Sequence, residues 1–301
     1  MIKTRDASIG KWRGILQHFG LSDSALSGKH GPCPGCRGKD RFRFADQNGS
    51  GNYYCSGCGP GSGFDLIALH TGQDFSVIAA EVDKIVGNIQ QGKIVTTDYD
   101  KNLARLKKIS NELKPIDDNI RAYLKSRGLS PCKNIRLHPS LAYFDEDRNL
   151  VGNFPAMVAR VSAQDGSLIT YHVTYLQDGK KAPVDQVKKF MPSAQPLSGG
   201  AIRLTGEYEH IGVTEGIESA LACMKRFDLP VWAIGSSALI KGFNPPESIK
   251  SVIVFSDHDT NYAGQAASYA LANRLVVQNK IDADVVIPKF PGDFADKVNC
   301  E

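Results

Sequence analysis

Four cysteines arranged in two pairs place the strongest constraint on the N-terminal part of this chain. Cys33, Cys36, Cys55 and Cys58 give the spacing C-x2-C-x18-C-x2-C. Each pair lies on a tight turn that can direct two sulfur atoms at one ion, and the intervening residues can form a hairpin that brings the two turns together. Four thiolates around Zn2+ make a closed, structural site. The spacing therefore predicts a zinc ribbon.

Other roles for these cysteines stay open at this point. They could form two disulfides or act as unrelated buried thiols, although disulfides are rare in intracellular chains. His30 precedes Cys33 by three residues and could replace one sulfur as a ligand.

The composition excludes several classes of protein. With 42% hydrophobic and 23% charged residues, the chain is neither disordered throughout nor collagen-like. No apolar run approaches the roughly 18 residues of a membrane span, and the N-terminal segment lacks the apolar core of a signal peptide. We therefore expect a cytoplasmic protein without membrane contact.

Charge is distributed unevenly along the chain. The net charge is +4, but residues 1–205 carry 28 basic against 19 acidic side chains, and residues 206–301 carry 8 against 13. The basic N-terminal part could bind a polyanion, and the acidic C-terminal part could bind cations. For both parts, the alternative is that the charges lie on solvent-exposed faces without a ligand.

The segment between the cysteine pairs alternates with a period of two. Arg41 and Arg43 should share one face of a strand, and Phe42 and Phe44 the other. Basic and aromatic side chains together suit single-stranded nucleic acid. We expect the two phenylalanines to fill the ribbon core and the two arginines to contact DNA.

After the ribbon, the pattern predicts helices first, then strands, then an alternation of both. Residues 87–100 are polar and lack periodicity, which indicates a boundary. Helices are predicted at 65–70, 75–86, 101–114, 118–127, 216–227 and 264–277, and strands at 157–161, 168–175, 201–204, 210–214, 231–234, 252–256 and 283–287. The final alternation indicates βαβ units around a parallel sheet.

Acidic residues follow three of the predicted parallel strands. Glu215 ends the first strand, Asp257 and Asp259 end the next, and Asp293 and Asp296 follow the last. Ligands of open α/β sheets bind beyond the carboxyl ends of the strands. Carboxylates gathered there repel each other, and Mg2+ or Mn2+ relieves that repulsion. Glu218, by contrast, could be either a further site residue or an exposed acid.

These acidic motifs resemble the toprim signature of bacterial-type primases, type IA and type II topoisomerases and some nucleases. The resemblance rests on Glu-Gly at 215–216, Asp-x-Asp at 257–259 and the later acidic pair. The ribbon segment 30–44 is similar to that of primases carried by phages and plasmids, and segments 154–160 and 171–176 resemble the region before toprim in those primases. The resemblance covers about residues 28–86 and 120–301.

The resemblance implies a multidomain α+β and α/β fold. A zinc-ribbon DNA-binding domain is expected at 1–90 and a helical linker at 91–130. A basic α+β subdomain of the primase core would follow at 131–205, and a toprim α/β subdomain with a parallel sheet at 206–301.

The resemblance also implies an activity, namely the synthesis of short RNA primers from NTPs on single-stranded DNA, for a phage, plasmid or other mobile element. Glu215, Asp257 and Asp259 would be catalytic, with Asp293 and Asp296 as further ligands of Mg2+ or Mn2+. The chain lacks a G-x-x-x-x-G-K-[ST] motif, so a separate replicative helicase is expected as a partner. The basic residues expected to bind nucleic acid or NTP are Lys39, Arg41, Arg43, Arg160, Lys181, Lys188 and Lys189.

Two alternatives to a primase stay open. One is a toprim-family nuclease, and the other is a non-catalytic zinc-ribbon adaptor that binds DNA.

Overall fold

The computed structural model describes residues 4–92 and 98–296, so Cys300 lies outside the described residues. The chain divides into two compact units, Met1–Thr97 and Asp98–Glu301. In the part of the chain that is described, no helix combines the length and the apolar character needed to cross a membrane. The cytoplasmic location and the bounds of the four predicted domains stay predictions.

Unit 1 consists of short helices around a three-stranded antiparallel sheet with the order β1-β2-β3. Its elements are α1 (Thr4–Ala7), α2 (Trp12–His18), β1 (Phe42–Phe44), β2 (Tyr53–Cys55), β3 (Gly59–Gly61), α3 (Gly63–Thr71) and α4 (Phe75–Ile85).

The core of unit 1 is built around Trp12 of α2, which is 2% exposed. Its ring packs edge-on against Phe64 of α3, with 4.8 Å between the ring centroids. A Cβ atom at Gly63 would lie 2.1 Å from the indole ring, so only glycine allows α3 to approach Trp12 this closely. The sequence patterns did not predict α1 or α2.

A capping box fixes the start of α3. Ser62 is the N-cap, its backbone N–H donates to the Asp65 carboxylate at 2.7 Å, and its hydroxyl accepts from the Asp65 N–H at 3.4 Å. The helix therefore begins at Gly63, two residues before the predicted start at Asp65.

Unit 2 is formed by one ten-stranded mixed sheet with helices on both faces. Its elements are α5 (Tyr99–Glu112), α6 (Asp118–Ser126), β4 (Ile135–Phe144), β5 (Leu150–Ser162), β6 (Leu168–Gln177), β7 (Lys180–Lys181), β8 (Lys188–Phe190), β9 (Ala201–Ile202), β10 (His210–Thr214), α7 (Ile217–Phe227), β11 (Val231–Ala233), α8 (Ser237–Ile240), β12 (Ser251–Phe255), α9 (Ala263–Arg274) and β13 (Asp282–Val286).

The sheet order is β13-β12-β10-β11-β9-β5-β6-β7, with β4 beside β5 and β8 beside β6. Strands β10 to β13 pair in parallel, which confirms the predicted parallel sheet of the C-terminal part. The short strand β9 pairs antiparallel with both β11 and β5. The sheet consequently continues through the predicted boundary at residue 205.

Helices cover the two faces of this sheet in different ways. Leu106 of α5 packs with Val158 of β5 on one face. Ile120 of α6 and Ala220 of α7 pack with Met157 of β5 on the other. The helices of the predicted linker thus contribute side chains to the core of unit 2, because each buries an apolar stripe.

Candidate metal centres

The four cysteines come together in unit 1 as the spacing predicts. Their sulfur atoms all lie within 4.8 Å of one another, with 3.7 Å between Cys33 Sγ and Cys58 Sγ. The backbone N–H groups of Gly57 and Cys58 donate to Cys55 Sγ, each at 3.4 Å, and so stabilise a thiolate there. This donor set fits one tetrahedral Zn2+. His30 does not belong to the group.

The ribbon strand β1 has the two faces that its alternation predicts. Phe42 and Phe44 are 1% and 3% exposed and pack in the core of unit 1, which confirms their structural role. Lys39, Arg41 and Arg43 are exposed. Their contact with DNA stays a prediction.

The acidic residues of unit 2 lie at one edge of the sheet, where the parallel strands end. Thr214 of β10 is in register with Phe255 of β12, so Glu215 and Asp257 both follow the carboxyl ends of adjacent parallel strands. The turn at Asp293 is brought beside this edge by two backbone hydrogen bonds between His258 and Gly292, at 2.9 and 3.2 Å.

Asp257 has a buried side-chain oxygen that is suited to hold a cation. Its Oδ1 atom is buried and makes no hydrogen bond. Burial and, after it, the nearby carboxylates of Glu215, Asp293 and Asp259 together raise the pKa of Asp257 to about 8. A buried, unpaired carboxylate oxygen among other acids fits a divalent cation.

The other acids of this edge are held by hydrogen bonds. Asp259 Oδ2 accepts from the backbone N–H of Gly264 at 2.9 Å, in the first turn of α9. Asp293 Oδ1 accepts from the Ala295 N–H at 2.7 Å, and Asp296 Oδ2 accepts from the Asp293 N–H at 3.0 Å.

The acids do not form a closed ligand shell. Among the described residues, the acids do not form a compact group like that of the four cysteines, whose ligand atoms all lie within 4.8 Å of one another. Magnesium commonly takes one or two protein carboxylates and completes its shell with water and phosphate oxygens. The more open arrangement of acids therefore still fits Mg2+, whose binding here stays a proposal.

Glu215 lies between the acids and α8. Burial raises the pKa of Glu215, and the charge of Asp259 adds to this, while hydrogen bonds from the side chain and backbone of Ser237 oppose it. Ser237 was not predicted from the sequence, because no short motif links it to Glu215.

Glu218 is a buried ion-pair partner and not an exposed acid. It is 3% exposed, accepts a hydrogen bond from the Tyr123 hydroxyl at 2.7 Å, and accepts another from Lys188 Nζ at 2.7 Å. Burial alone would raise the pKa of Glu218, but the charge of Lys188 and these hydrogen bonds lower it to about 2. Three elements, α6, β8 and α7, thereby meet at one carboxylate.

His172 of β6 adjoins this group. Its side chain is buried, its Nδ1 atom makes no hydrogen bond, and its ring packs edge-on against Phe190 at 5.1 Å. Burial lowers the pKa of His172 to about 4, and the charge of Lys188 contributes. Because His172 is neutral, Lys188 is the side chain that forms the ion pair with Glu218.

The remaining predicted basic residues lie elsewhere in unit 2. Lys189 Nζ donates to the Phe144 carbonyl at 2.6 Å and lies 3.9 Å from the centre of the Tyr143 ring. Arg160 donates to the Gly166 carbonyl at 2.9 Å, and Lys181 is exposed on β7. Of the four basic residues predicted in this unit, Lys188 is the one that ion-pairs beside the acids.

Asp257→Asn should stabilise the protein when no divalent metal is added. An acid whose folded-state pKa is raised to about 8 destabilises the fold progressively as pH rises from about 4 to about 8, because the unfolded chain releases this proton in that range while the buried group of the folded state retains it. Asparagine removes this penalty, so the gain in free energy of unfolding should grow with pH to a few kcal/mol. Thermal unfolding at several pH values measures it, and an equal gain at pH 4 and pH 8 would contradict the assignment.

Tyr123→Phe should cost about 1–3 kcal/mol of stability, because a buried carboxylate loses one donor. The lowered pKa of Glu218 contributes stability above its ordinary pKa, and this contribution is lost as the pH falls towards 2. The cost of the substitution should therefore shrink in acid. Urea unfolding at pH 7 and pH 3 measures it, with Tyr269→Phe, at an exposed tyrosine, as the control that should change little.

Family models match three successive segments of the chain. Residues 28–64 match the zinc-binding domain of primase-helicase, and residues 210–300 match the toprim domain. The chain combines a primase-helicase type of zinc ribbon with a toprim domain. Between them, residues 100–204 match a domain of unknown function, DUF7146. The matches at residues 28–64 and 210–300 confirm the two families expected from the cysteine and acidic motifs.

Solved structures with a similar fold include three primase structures. A DNA primase domain from Pseudomonas aeruginosa is 15% identical, with 67% of this chain and 74% of that chain covered and a TM-score of 0.43. The primase fragment of the bacteriophage T7 primase-helicase protein is 16% identical, with coverages of 89% and 92% and a TM-score of 0.38. The zinc-binding and RNA polymerase domains of Aquifex aeolicus primase are 16% identical, with coverages of 98% and 81% and a TM-score of 0.43.

Proposed function

We propose that this protein is a DNA primase that makes short RNA primers on single-stranded DNA during replication of a phage, plasmid or other mobile element. One observation carries the proposal: the unpaired, buried oxygen of Asp257 lies among carboxylates at the carboxyl ends of β10 and β12, within a toprim domain. The ribbon type found at residues 28–64 supports priming over other toprim activities.

The reaction is attack of a 3′-hydroxyl on the α-phosphate of an NTP, with pyrophosphate as the leaving group. Asp257 and Asp259 would hold Mg2+ or Mn2+, with Glu215 as a further ligand or an acid–base group and Asp293 and Asp296 as outer ligands. The bound metal supplies charge neutralisation at the phosphates and a more acidic attacking hydroxyl.

Lys188 is a cation whose charge reaches this edge, since it opposes the rise that burial causes in the pKa of Glu215. Its ammonium group donates to Glu218 at 2.7 Å, and the Tyr123 hydroxyl donates to the other oxygen of Glu218 at 2.7 Å and so holds that carboxylate in place. A fixed cation requires little reorganisation when negative charge moves onto the leaving pyrophosphate. We assign Lys188 to triphosphate binding and Glu218 to its positioning.

The other basic residues would contact nucleic acid rather than the reacting phosphates. Lys39, Arg41 and Arg43 on the exposed side of the ribbon would hold the template. Arg160, Lys181 and Lys189 would contact the template or product strand. Unwinding would come from a separate helicase.

The proposal is tested by incorporation of labelled ribonucleotides on a pool of random single-stranded DNA templates with Mg2+ or Mn2+. We expect short products that require both template and all four NTPs. Absence of products on every template would contradict the proposal.

Two outcomes would favour the alternatives. Metal-dependent cleavage of labelled DNA without NTPs would indicate a toprim nuclease. Full biological function of an Asp257→Asn protein that binds DNA normally would indicate a non-catalytic adaptor.

A further inference from the structure

His258 lies between two acids of the proposed metal site and has no part in the proposed chemical step. Successive side chains of an extended segment point to opposite sides, so Asp257 and Asp259 face one side and His258 the other. The contacts agree with this alternation. Asp259 Oδ2 accepts from Gly264 at 2.9 Å, whereas His258 bonds to residues 288–292.

His258 makes three hydrogen bonds to these residues. Its backbone N–H donates to the Gly292 carbonyl at 2.9 Å, and its own carbonyl accepts from the Gly292 N–H at 3.2 Å. Its Nδ1 atom lies 3.0 Å from the Pro288 carbonyl oxygen. Because a carbonyl oxygen only accepts, Nδ1 carries a proton and donates it. One residue therefore holds both ends of the turn 288–292.

The side-chain bond takes the place of a missing backbone bond. Pairing between β12 and β13 continues as far as Ser256, whose N–H donates to the Val286 carbonyl at 2.9 Å. Pro288 has no N–H group and cannot donate to the neighbouring segment. Its carbonyl remains an acceptor, and the imidazole of His258 donates to it. A side chain without a donor at the position of Nδ1 would leave this carbonyl without that bond.

The two segments that His258 joins carry charges of the same sign. Burial raises the pKa of Asp257, and the carboxylates of Asp293 and Asp296 are among the charges that add to this rise. Carboxylates held this close repel each other when no cation is bound. Attractive contacts must therefore keep the two segments together, and the bonds of His258 are of this kind.

The chain on either side of Asp293 is fixed by different contacts. Downstream, Phe294 is 4% exposed and packs edge-on against Phe255 of β12, with 5.4 Å between the ring centroids. Upstream, Gly292 has a φ of +122°, in the region that favours glycine, so the chain can pivot there. The bond from His258 to Pro288 restricts that pivot.

We propose that the imidazole of His258 is a positioning residue, which holds the segment 257–259 against the segment 288–296 so that the acids of both face one cation. The inference rests on the proposed function, because it concerns the metal site assigned there. It adds a residue that contacts neither metal nor substrate. Its part is to keep the site assembled before metal binds, when repulsion between the acids opposes assembly.

Binding of Mn2+ alone tests this inference without turnover. Electron paramagnetic resonance measures free Mn2+ in titrations of the zinc-loaded protein, and the Mn2+ that Asp257→Asn still binds is subtracted. His258→Asn keeps an N–H donor near the position of Nδ1, His258→Gln moves the donor towards Nε2, and His258→Leu has none. We expect the Asn variant to bind Mn2+ within about twofold of wild type, and the Gln and Leu variants about fivefold more weakly, as for one lost hydrogen bond.

Hydrogen exchange of the metal-free protein gives a second measurement. The amide of Gly292, which donates to His258, should exchange faster in the Gln and Leu variants than in the wild type and the Asn variant. If the Leu variant does not fold, the comparison of Asn with Gln still decides, because both amides are polar and can donate.

The matched control is His210→Leu. His210 Nδ1 lies 2.8 Å from Ser251 Oγ, and the two residues are in register where β10 and β12 begin, at the end of the strands opposite to the acids. This variant also loses a side-chain hydrogen bond of a histidine in the same sheet. It should bind Mn2+ as the wild type does.

Weaker Mn2+ binding by the Gln and Leu variants, with wild-type binding by the Asn variant, supports the inference. Wild-type affinity of all three variants, an equal loss in all three, or no Mn2+ binding by the wild type would overturn it. The assay of primer synthesis tests the proposed function separately. A wild type that makes no primers but whose Mn2+ affinity depends on His258 in this way would contradict the proposed function and still support the inference.

Discussion

Asp257→Asn should lower primer synthesis by on the order of a thousandfold, because the variant keeps the shape of the side chain but loses the charge that would hold the metal. The buried Oδ1 atom of Asp257 lacks any other partner, so no hydrogen bond of the fold is lost with the charge. The rate of ribonucleotide incorporation on single-stranded DNA measures the effect.

The matched control for this variant is Asp282→Asn. Asp282 is exposed and is in register with Ser251, so it lies where the parallel strands begin, away from the acidic edge. Its variant should retain wild-type activity. Activity of Asp257→Asn within a few fold of wild type would remove Asp257 from the proposed metal site.

Cys55→Ser should abolish zinc binding and unfold the ribbon. The side chain of Cys55 is fully buried in the core of unit 1, and structural zinc contributes about 10–16 kcal/mol of binding free energy in zinc-finger peptides. We expect the zinc content to fall to background and the amides of β1 and β2 to lose their protection from hydrogen exchange. Elemental analysis and hydrogen-exchange mass spectrometry measure the two effects.

Cys132→Ser is the control for the cysteine variant. Cys132 packs against the core of unit 2 and lies outside the cysteine group, so its variant should keep one equivalent of zinc. A Cys55→Ser protein with full zinc content and a protected ribbon would contradict the proposed site.

The sequence alone was sufficient where a short motif sets the geometry. The two C-x2-C turns predicted the cysteine group, and acids after successive strands predicted one acidic edge, because the carboxyl ends of parallel strands meet there. The strand His210–Thr214 has the bounds that its apolar pattern predicts.

Contacts between residues that are far apart in the sequence could not be predicted from such patterns. Tyr123 and Glu218 are 95 residues apart and meet through a hydrogen bond, yet Tyr123 fits the apolar stripe of α6 with no sign of a polar role. Lys188 and Lys189 look alike in sequence, but strand alternation directs Lys188 to Glu218 and Lys189 to Tyr143. The register of β8 against β6 decides which lysine faces Glu218. A single sequence does not reveal that register.

The central claim is that this chain starts RNA strands on a DNA template. Mass spectrometry of the products made by the wild-type protein from single-stranded DNA, NTPs and Mg2+ tests it most directly. The account predicts short oligoribonucleotides that carry a 5′-triphosphate and are absent with Asp257→Asn. Products without a 5′-triphosphate, or DNA fragments in their place, would contradict it.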